Sequence, residues 1–391
     1  MKRLLAILVS LVLAACGGGG GGTDSSGTSP KPPLAANSVA VAVESFSAAS
    51  NVNLPYVSVT VCVPGSQTCK TVDHVLVDTG STGLRLVASA LNGLALPPQT
   101  VGNSSTILEC ARFLSFYIWG PVRLADVVIG GKRASALPVQ MAGEPLYATA
   151  PSSCGSAAMA AKAATDLGAN GILGVGPFAS DGQVYYNCVP TSRFNSCRVS
   201  PTPDQQVQNP VSLFVGDNNG VVLQLPAVAA TGAARADGLM VFGIDTQDNN
   251  RLGSAKVIQT NSSGYFTTVY KGVALPSSFI DSGSNGLYFD DATLTPCPAP
   301  WEGFYCPTAD RSLSASISLV NGGSDTLAFG IGNASNLLSA NVYALANLGG
   351  PLSNAGMFDW GLPFFFGRSV YTVIEGRSTS AGVGPFFAYT N

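Results

Sequence analysis

Two stretches of this chain repeat. Leu76-Val77-Asp78-Thr79-Gly80-Ser81-Thr82-Gly83-Leu84 and Phe279-Ile280-Asp281-Ser282-Gly283-Ser284-Asn285-Gly286-Leu287 carry Asp, Gly, Ser, Gly and Leu in register, each after a two-residue apolar strand end. A repeat of this kind predicts two structurally equivalent halves. One copy alone would read as a turn in which the carboxylate accepts backbone N–H bonds. Two copies related by a pseudo-twofold axis would instead bring Asp78 and Asp281 together between the halves. Like charges about 3 Å apart cannot both ionise, so such a pair holds one shared proton. It could deprotonate a water for attack on an amide carbonyl and protonate the departing nitrogen. The glycines would let the two backbones approach, and the hydroxyls could hold the carboxylates in place.

The rest of the chain reads as mostly β. Tyr56 to Val63 alternates strictly, the pattern of a half-buried strand. Pro64-Gly65 turns the chain, and Thr71 to Val77 is a second apolar strand. Similar runs recur at Val39–Val43, Val122–Ile129, Val211–Val215, Gly220–Leu225, Leu239–Ile244, Tyr265–Val273 and Ser369–Ile374, and Ala157 to Leu167 is the best helical candidate. Asp78 lies 40 residues after Ser38, and the same count back from Asp281 reaches residue 241, near the polar turn Thr246 to Asn250. The first half is therefore placed at 38–247 and the second at 248–391. The Pro-rich stretch Ser200 to Pro210 is a rival boundary, but it breaks the repeat register.

Composition narrows the chemistry. Charged residues are 10% of the 391, against about 25% in an average soluble protein, and the net charge of −3 offers no basic footprint for nucleic acid. A single His, His74, leaves no His-based zinc site. It shares strand parity with Leu76 and Asp78 but is read as a satisfied strand residue. Gly130-Gly131-Lys132-Arg133 lacks the upstream Gly and closing Ser/Thr of a phosphate loop. No metal or organic cofactor is expected.

The N-terminus points to export. Lys2 and Arg3 precede an apolar run from Leu4 to Ala15, too short to span a membrane, and then Cys16. Leu-Ala-Ala-Cys resembles the bacterial lipobox, which implies a signal peptide at 1–15 and lipidation of Cys16. Gly17 beside it favours the outer membrane by the same resemblance. Residues 16–37 form a Gly/Ser/Pro tether reaching roughly 25 Å. Setting Cys16 aside leaves eight of nine cysteines, an even number that predicts four disulfides in an oxidising compartment. Short-range closure favours Cys62–Cys69, Cys188–Cys197 and Cys297–Cys306, which leaves Cys110–Cys154. Eight cysteines allow 105 pairings, so others stay open. No C-x-x-C spacing supports a metal site.

From about Val39 to Tyr389 the chain resembles the pepsin-like aspartic peptidases. Asp78-Thr79-Gly80-Ser81 and Asp281-Ser282-Gly283-Ser284 match that family's two D-[TS]-G-[ST] motifs. Asn170 to Gly174 is similar to its hydrophobic-hydrophobic-Gly segment, Gly220 to Asp245 to its strand pair at the lobe junction, and Trp360 to Tyr389 to its C-terminal segment. The resemblance implies a bilobal β fold with the site in the cleft. Asp78 and Asp281 would be the catalytic pair, Thr79 and Ser282 would cross-brace the loops, and Ser81 and Ser284 would bond the outer carboxylate oxygens. Gly80 and Gly283 complete the motifs. Three departures stand out. Arg85 replaces the Trp that normally supports the flap tyrosine. Tyr117, Trp119 and Gly120 are candidate flap residues in place of the usual Tyr-Gly. Asp359 interrupts the second hydrophobic-hydrophobic-Gly match.

The expected function is therefore a lipid-anchored aspartic endopeptidase, monomeric, acting on peptide or protein substrates. The altered flap favours a different class, a catalytically silent envelope lipoprotein that binds a peptide or protein partner in the cleft. A purely structural lipoprotein would leave the repeated Asp motif unexplained. A glycosidase also uses two carboxylates, but nothing besides the pair supports a sugar site.

Overall fold

Alternating side chains account for the first sheet. In the strand Pro55–Cys62 the odd-numbered valines 57, 59 and 61 are buried while Ser58 faces solvent, as period-2 patterning requires. It pairs antiparallel with Cys69–Asp78, and Cys62 lies opposite Cys69, to which it is disulfide-bonded. The computed structural model describes residues 34–46, 51–102, 105–188, 197–352, 354 and 356–390. The expected signal peptide, Cys16 and most of the expected tether lie outside the described residues. Among those described, no helix is long and apolar enough to cross a membrane.

The repeat reappears as topology. In the first half, strand Gly171–Val175 runs parallel to Cys69–Asp78 on one side and antiparallel to Thr82–Val87 on the other, and Thr82–Val87 pairs in parallel with Lys132–Ala142. In the second half, Asp359–Trp360 runs parallel to Val273–Ile280 and antiparallel to Leu287–Tyr288, which pairs in parallel with Gly349–Gly350. The same four-strand order thus surrounds each Asp motif. The halves are joined by a run of six hydrogen-bonded strands: Ser38–Val43, Ala236–Phe242, Gly220–Leu225, Arg368–Val373, Phe386–Thr390 and Lys256–Ile258. Chain from both ends contributes to this sheet, and Leu34–Asn391 make one compact unit. Its core of Val, Leu, Ile and Phe side chains runs from Val41 to Tyr389.

Four disulfides form, Cys62–Cys69, Cys110–Cys154, Cys188–Cys197 and Cys297–Cys306, the set that short-range closure favoured. Several local expectations need correction. Val211–Val215 is not a strand: Pro210–Leu213 is a 3-10 turn, because Pro210 occupies its first position and the Asn209 side chain caps the Val211 N–H. The Ala157–Leu167 helix is reduced to a 3-10 turn at Ala157–Met159 and one helical turn at Ala164–Leu167. There Asp166 takes the N–H groups of Lys162 and Ala163, so the helix starts no earlier. The run Tyr265–Val273 is split by a turn at Lys271-Gly272 into strands Phe266–Tyr270 and Val273–Ile280. Gly130-Gly131, with φ of +54° and +80°, makes a two-residue hairpin turn.

Candidate active site

Each Asp motif follows a strand that ends where the equivalent inner strand crosses behind it. Asp78 pairs with Gly174, and the Asp281 N–H donates to the Trp360 carbonyl, 3.1 Å away, just before Gly361. A Cβ on Gly361 would lie 2.1 Å from the Gly286 carbonyl oxygen and 2.6 Å from that of Ser284, so only glycine admits this crossing. The turns then fold back over their own carboxylates. Gly80 N–H donates to Asp78 Oδ1 at 2.8 Å and Gly283 N–H to Asp281 Oδ1 at 2.7 Å. Ser81 Oγ donates to Asp78 Oδ2, and Ser284 Oγ to Asp281 Oδ2 at 2.8 Å.

The two loops brace each other. Thr79 N–H donates to Ser282 Oγ at 3.1 Å, and Ser282 N–H donates to Thr79 Oγ1 at 2.9 Å. Ser282 Oγ passes its own hydrogen to the Val77 carbonyl at 2.7 Å. Thr79 and Ser282 are almost fully buried, so these bonds have no water to replace them. They hold the carboxyls of Asp78 and Asp281 near each other: the point a Cβ on Gly283 would occupy is 2.8 Å from Asp78 Oδ1 and 3.1 Å from Asp281 Oδ1. A Cβ on Gly80 would stand 2.5 Å from Asp281 Cγ, and one on Gly283 would stand 2.8 Å from Asp78 Cγ. The approach of the carboxyls therefore depends on both motif glycines.

Asp78 is buried, and Asp281 keeps partial contact with solvent. Desolvation, then the Asp78 charge and then Asp359, hold the Asp281 carboxyl well above the usual carboxylate range. Asp281 is therefore a member of the pair that favours its neutral form. Asp359, read from sequence only as an interruption, is 1% exposed and pairs with Phe279, two residues before Asp281; burial, reinforced by the Asp78 charge, holds its carboxyl well above the usual carboxylate range. Its nearness could have been seen by aligning Asp359-Trp360-Gly361 on Ile172-Leu173-Gly174.

The departure at Arg85 has a structural counterpart that sequence reasoning missed. Arg85 is 2% exposed and donates to Glu109 Oε1 at 2.7 Å, Asp181 Oδ2 at 2.5 Å and the Thr82 carbonyl at 2.6 Å. Tyr185 Oη donates to Asp181 Oδ1 at 2.6 Å. Burial pushes the Glu109 carboxyl well up, against the opposing pull of Arg85. Glu109 sits on Leu108–Arg112, the first strand of a hairpin completed by Tyr117–Ile129, so Arg85 ties that hairpin to the strand leaving the first Asp motif. An isolated buried Arg would be untenable, but nothing in the spacing of residues 85, 109 and 181 announces the set.

The candidate flap residues lie within this hairpin. Its tip is Phe113–Phe116, whose end rings stack at 4.5 Å, with Leu114 64% exposed. Tyr117 and Trp119 stand in the strand rather than at the tip, buried among Leu108, Cys110, Cys154, Tyr186 and Cys188. Gly120 meets the Met141 backbone so closely that a Cβ would fall 1.8 Å from its carbonyl oxygen. His74 is away from the pair. Its φ of +47°, beside a bulge opposite Val57 and Val59, breaks the strand parity with Asp78. Its ring packs on Phe46 and Tyr56, with Nδ1 3.3 Å from Asp73 and Nε2 3.6 Å from Glu44. Among the described residues no cluster of three His, Cys, Asp or Glu side chains is arranged to hold a metal.

A family model described as "Protein of unknown function (DUF3443)" matches residues 33–389. No curated protein matches the chain. Among solved structures, an aspartic proteinase from Irpex lacteus is similar at a TM-score of 0.50 and 15% identity, over 90% of this chain and 96% of that one. At that identity the likeness concerns the fold, which is the bilobal pepsin-like one.

Proposed function

We propose that this chain, which belongs to the family described as "Protein of unknown function (DUF3443)", is an aspartic endopeptidase held at a bacterial cell envelope by a lipidated Cys16. The observation that carries the reading is the paired geometry of Asp78 and Asp281, each fixed by its own Gly N–H and Ser hydroxyl and both held by the Thr79–Ser282 brace. Two such carboxyls sharing one proton have one site that can accept a proton and one that can donate it. The ionised Asp78 takes a proton from a water as its oxygen bonds the peptide carbonyl carbon. Asp281 gives its proton to the carbonyl oxygen, and the dyad then delivers a proton to the amide nitrogen as the C–N bond breaks. Peptide would lie extended along the cleft, its backbone hydrogen-bonded as an added strand.

The test incubates the full, disulfide-bonded chain with a denatured protein mixture from acidic to neutral pH. New termini are read by mass spectrometry for wild type, Asp78→Asn and Asp281→Asn. Cleavage lost in either folded variant supports the dyad. A folded wild type that cleaves nothing at any pH overturns the peptidase reading. The burial of Tyr117 and Trp119 away from the hairpin tip favours, in that case, a cleft that binds peptide without cutting it.

A further inference from the structure

In both halves the carbonyl that follows the motif serine is taken by a buried side chain. After Ser81 it is the Thr82 carbonyl, which accepts from Arg85 of the same half at 2.6 Å. After Ser284 it is the Asn285 carbonyl, which accepts from Asn53 Nδ2 at 2.8 Å, and Asn53 belongs to the first half. Asn53 is fully buried with a φ of +57°, a left-handed conformation that asparagine adopts more readily than most residues. Its backbone N–H and its whole side-chain amide are engaged with the second half. The N–H donates to the Tyr343 carbonyl at 2.7 Å. The side chain closes a two-bond pair with Leu345, accepting from its N–H at 2.7 Å and donating to its carbonyl at 2.8 Å. That leaves the second amide hydrogen for Asn285. The flanking residues mark the crossing: Val52 joins the buried cluster of Leu345 and Leu348, and Leu54 joins that of Tyr56 and Leu76.

Resting on the dyad reading above, we propose that Asn53 is a positioning residue for the second Asp motif: a first-half side chain that fixes the carbonyl one residue beyond Ser284 and so keeps the Ser284 hydroxyl on Asp281 Oδ2. Asn285 is held through its own side chain as well, where Oδ1 accepts from the Tyr288 hydroxyl. Turning the Asn285 carbonyl away breaks the Asn53 bond and strands an amide hydrogen on a fully buried side chain, where no water replaces the lost partner. The two motifs are thus anchored differently. Arg85 ties the first to its own half, whereas Asn53 ties the second to the opposite half. With the Thr79–Ser282 brace, the second motif has one attachment to the first half on each side of Gly283. Both carboxyls are thereby referred to a single frame, the first half.

The test follows amide hydrogen exchange by NMR in the full, disulfide-bonded chain. Asn53→Gly removes the side-chain amide and keeps a residue at ease in the left-handed conformation. Val52→Ala thins the same crossing but leaves the amide in place. Two motif amides report, Gly283 N–H on Asp281 Oδ1 and Gly80 N–H on Asp78 Oδ1, and strand Arg311–Ser318 serves as the second half's own reference. Asn53→Gly is expected to lower protection at Gly283 about tenfold more than at Gly80 or the reference strand, the effect of one hydrogen bond on local opening. Val52→Ala should lower all three alike. Where peptide is cleaved, kcat should fall at least about tenfold in Asn53→Gly with KM changed less than about threefold, because misplaced reacting groups slow the chemistry rather than the binding. A uniform loss of protection in Asn53→Gly would overturn the proposal. So would a wild type without scalar coupling across the hydrogen bond from Asn53 Nδ2 to the Asn285 carbonyl carbon, a measurement that needs no variant to fold. Selective loss at Gly283 in a chain that cleaves nothing would sustain the role of Asn53 and refute the peptidase reading, whereas cleavage with uniform loss would do the reverse.

Discussion

Arg85→Met isolates the buried ion set that ties the hairpin to the first Asp motif. Arg85, Glu109 and Asp181 have side chains 2%, 0% and 3% exposed, so water cannot replace a lost partner. In the wild type a single guanidinium faces two carboxyls, and Glu109 is already pushed up by burial. One guanidinium can balance the charge of only one carboxylate, and the raised Glu109 is the group that favours its neutral form. Methionine keeps the apolar volume and removes the cation, leaving a buried carboxylate uncompensated, a change that costs about 3–5 kcal/mol. The cost depends on pH in a definite direction. Without the opposing pull of Arg85, the folded state holds a proton on buried Glu109 more tightly than the unfolded chain does. Stability therefore falls as pH rises above the unfolded carboxylate value near 4. The gap between wild type and Arg85→Met should be widest near neutrality and narrow toward pH 4. Urea unfolding at a series of pH values, with disulfides intact, measures it. A loss under about 1 kcal/mol at pH 7, or one that does not vary with pH, would refute the argument. The triple replacement Arg85→Met, Glu109→Leu, Asp181→Asn should recover most of the loss, because it removes the stranded charges along with the cation.

Other residues give independent checks. Thr79→Val strands the buried Ser282 N–H and should cost about 1–3 kcal/mol in urea unfolding, whereas Thr79→Ser should cost less than half of that. Gly80→Ala places a methyl 2.5 Å from Asp281 Cγ, so cleavage should fall at least tenfold while circular dichroism still reports a folded chain. Asp281, with its carboxyl raised by burial and Asp78, binds its proton more tightly folded than unfolded, so it destabilises the fold progressively as pH rises from about 4 toward its folded value. In Asp281→Asn that decline should flatten. Removing Cys110–Cys154, which are 44 residues apart, should cost about 4 kcal/mol by loop-closure entropy, against about 2.5 for Cys62–Cys69 at a separation of 7; reversible unfolding of the Cys→Ser pairs ranks them. Cys16→Ala should move the chain from the membrane fraction to the soluble one.

Much of the architecture was legible in local pattern. Alternation marked Pro55–Cys62, and the register of two Asp-Thr/Ser-Gly-Ser segments foretold a topology that repeats strand for strand. An even cysteine count and short spacings anticipated three of the disulfides, because closing a short loop costs little entropy, and left Cys110–Cys154 as the fourth. Periodicity failed where a side chain overrode it: the Asn209 cap and Pro210 turned an apolar run into a 3-10 turn, and Asp166 delayed a helix.

The linear order of residues determined the motif glycines, hydroxyls and carboxyls, since each turn bonds its own Asp through atoms two or three residues away. Those contacts are local, and local contacts leave a mark in spacing. Only the tertiary structure decided that Arg85 meets Glu109 and Asp181 and that Asp359 lies opposite Phe279 behind the second Asp motif. Each of these depends on strands brought together from distant parts of the chain. Whether a charge there is stabilised or stranded rests on which other groups share its desolvated surroundings.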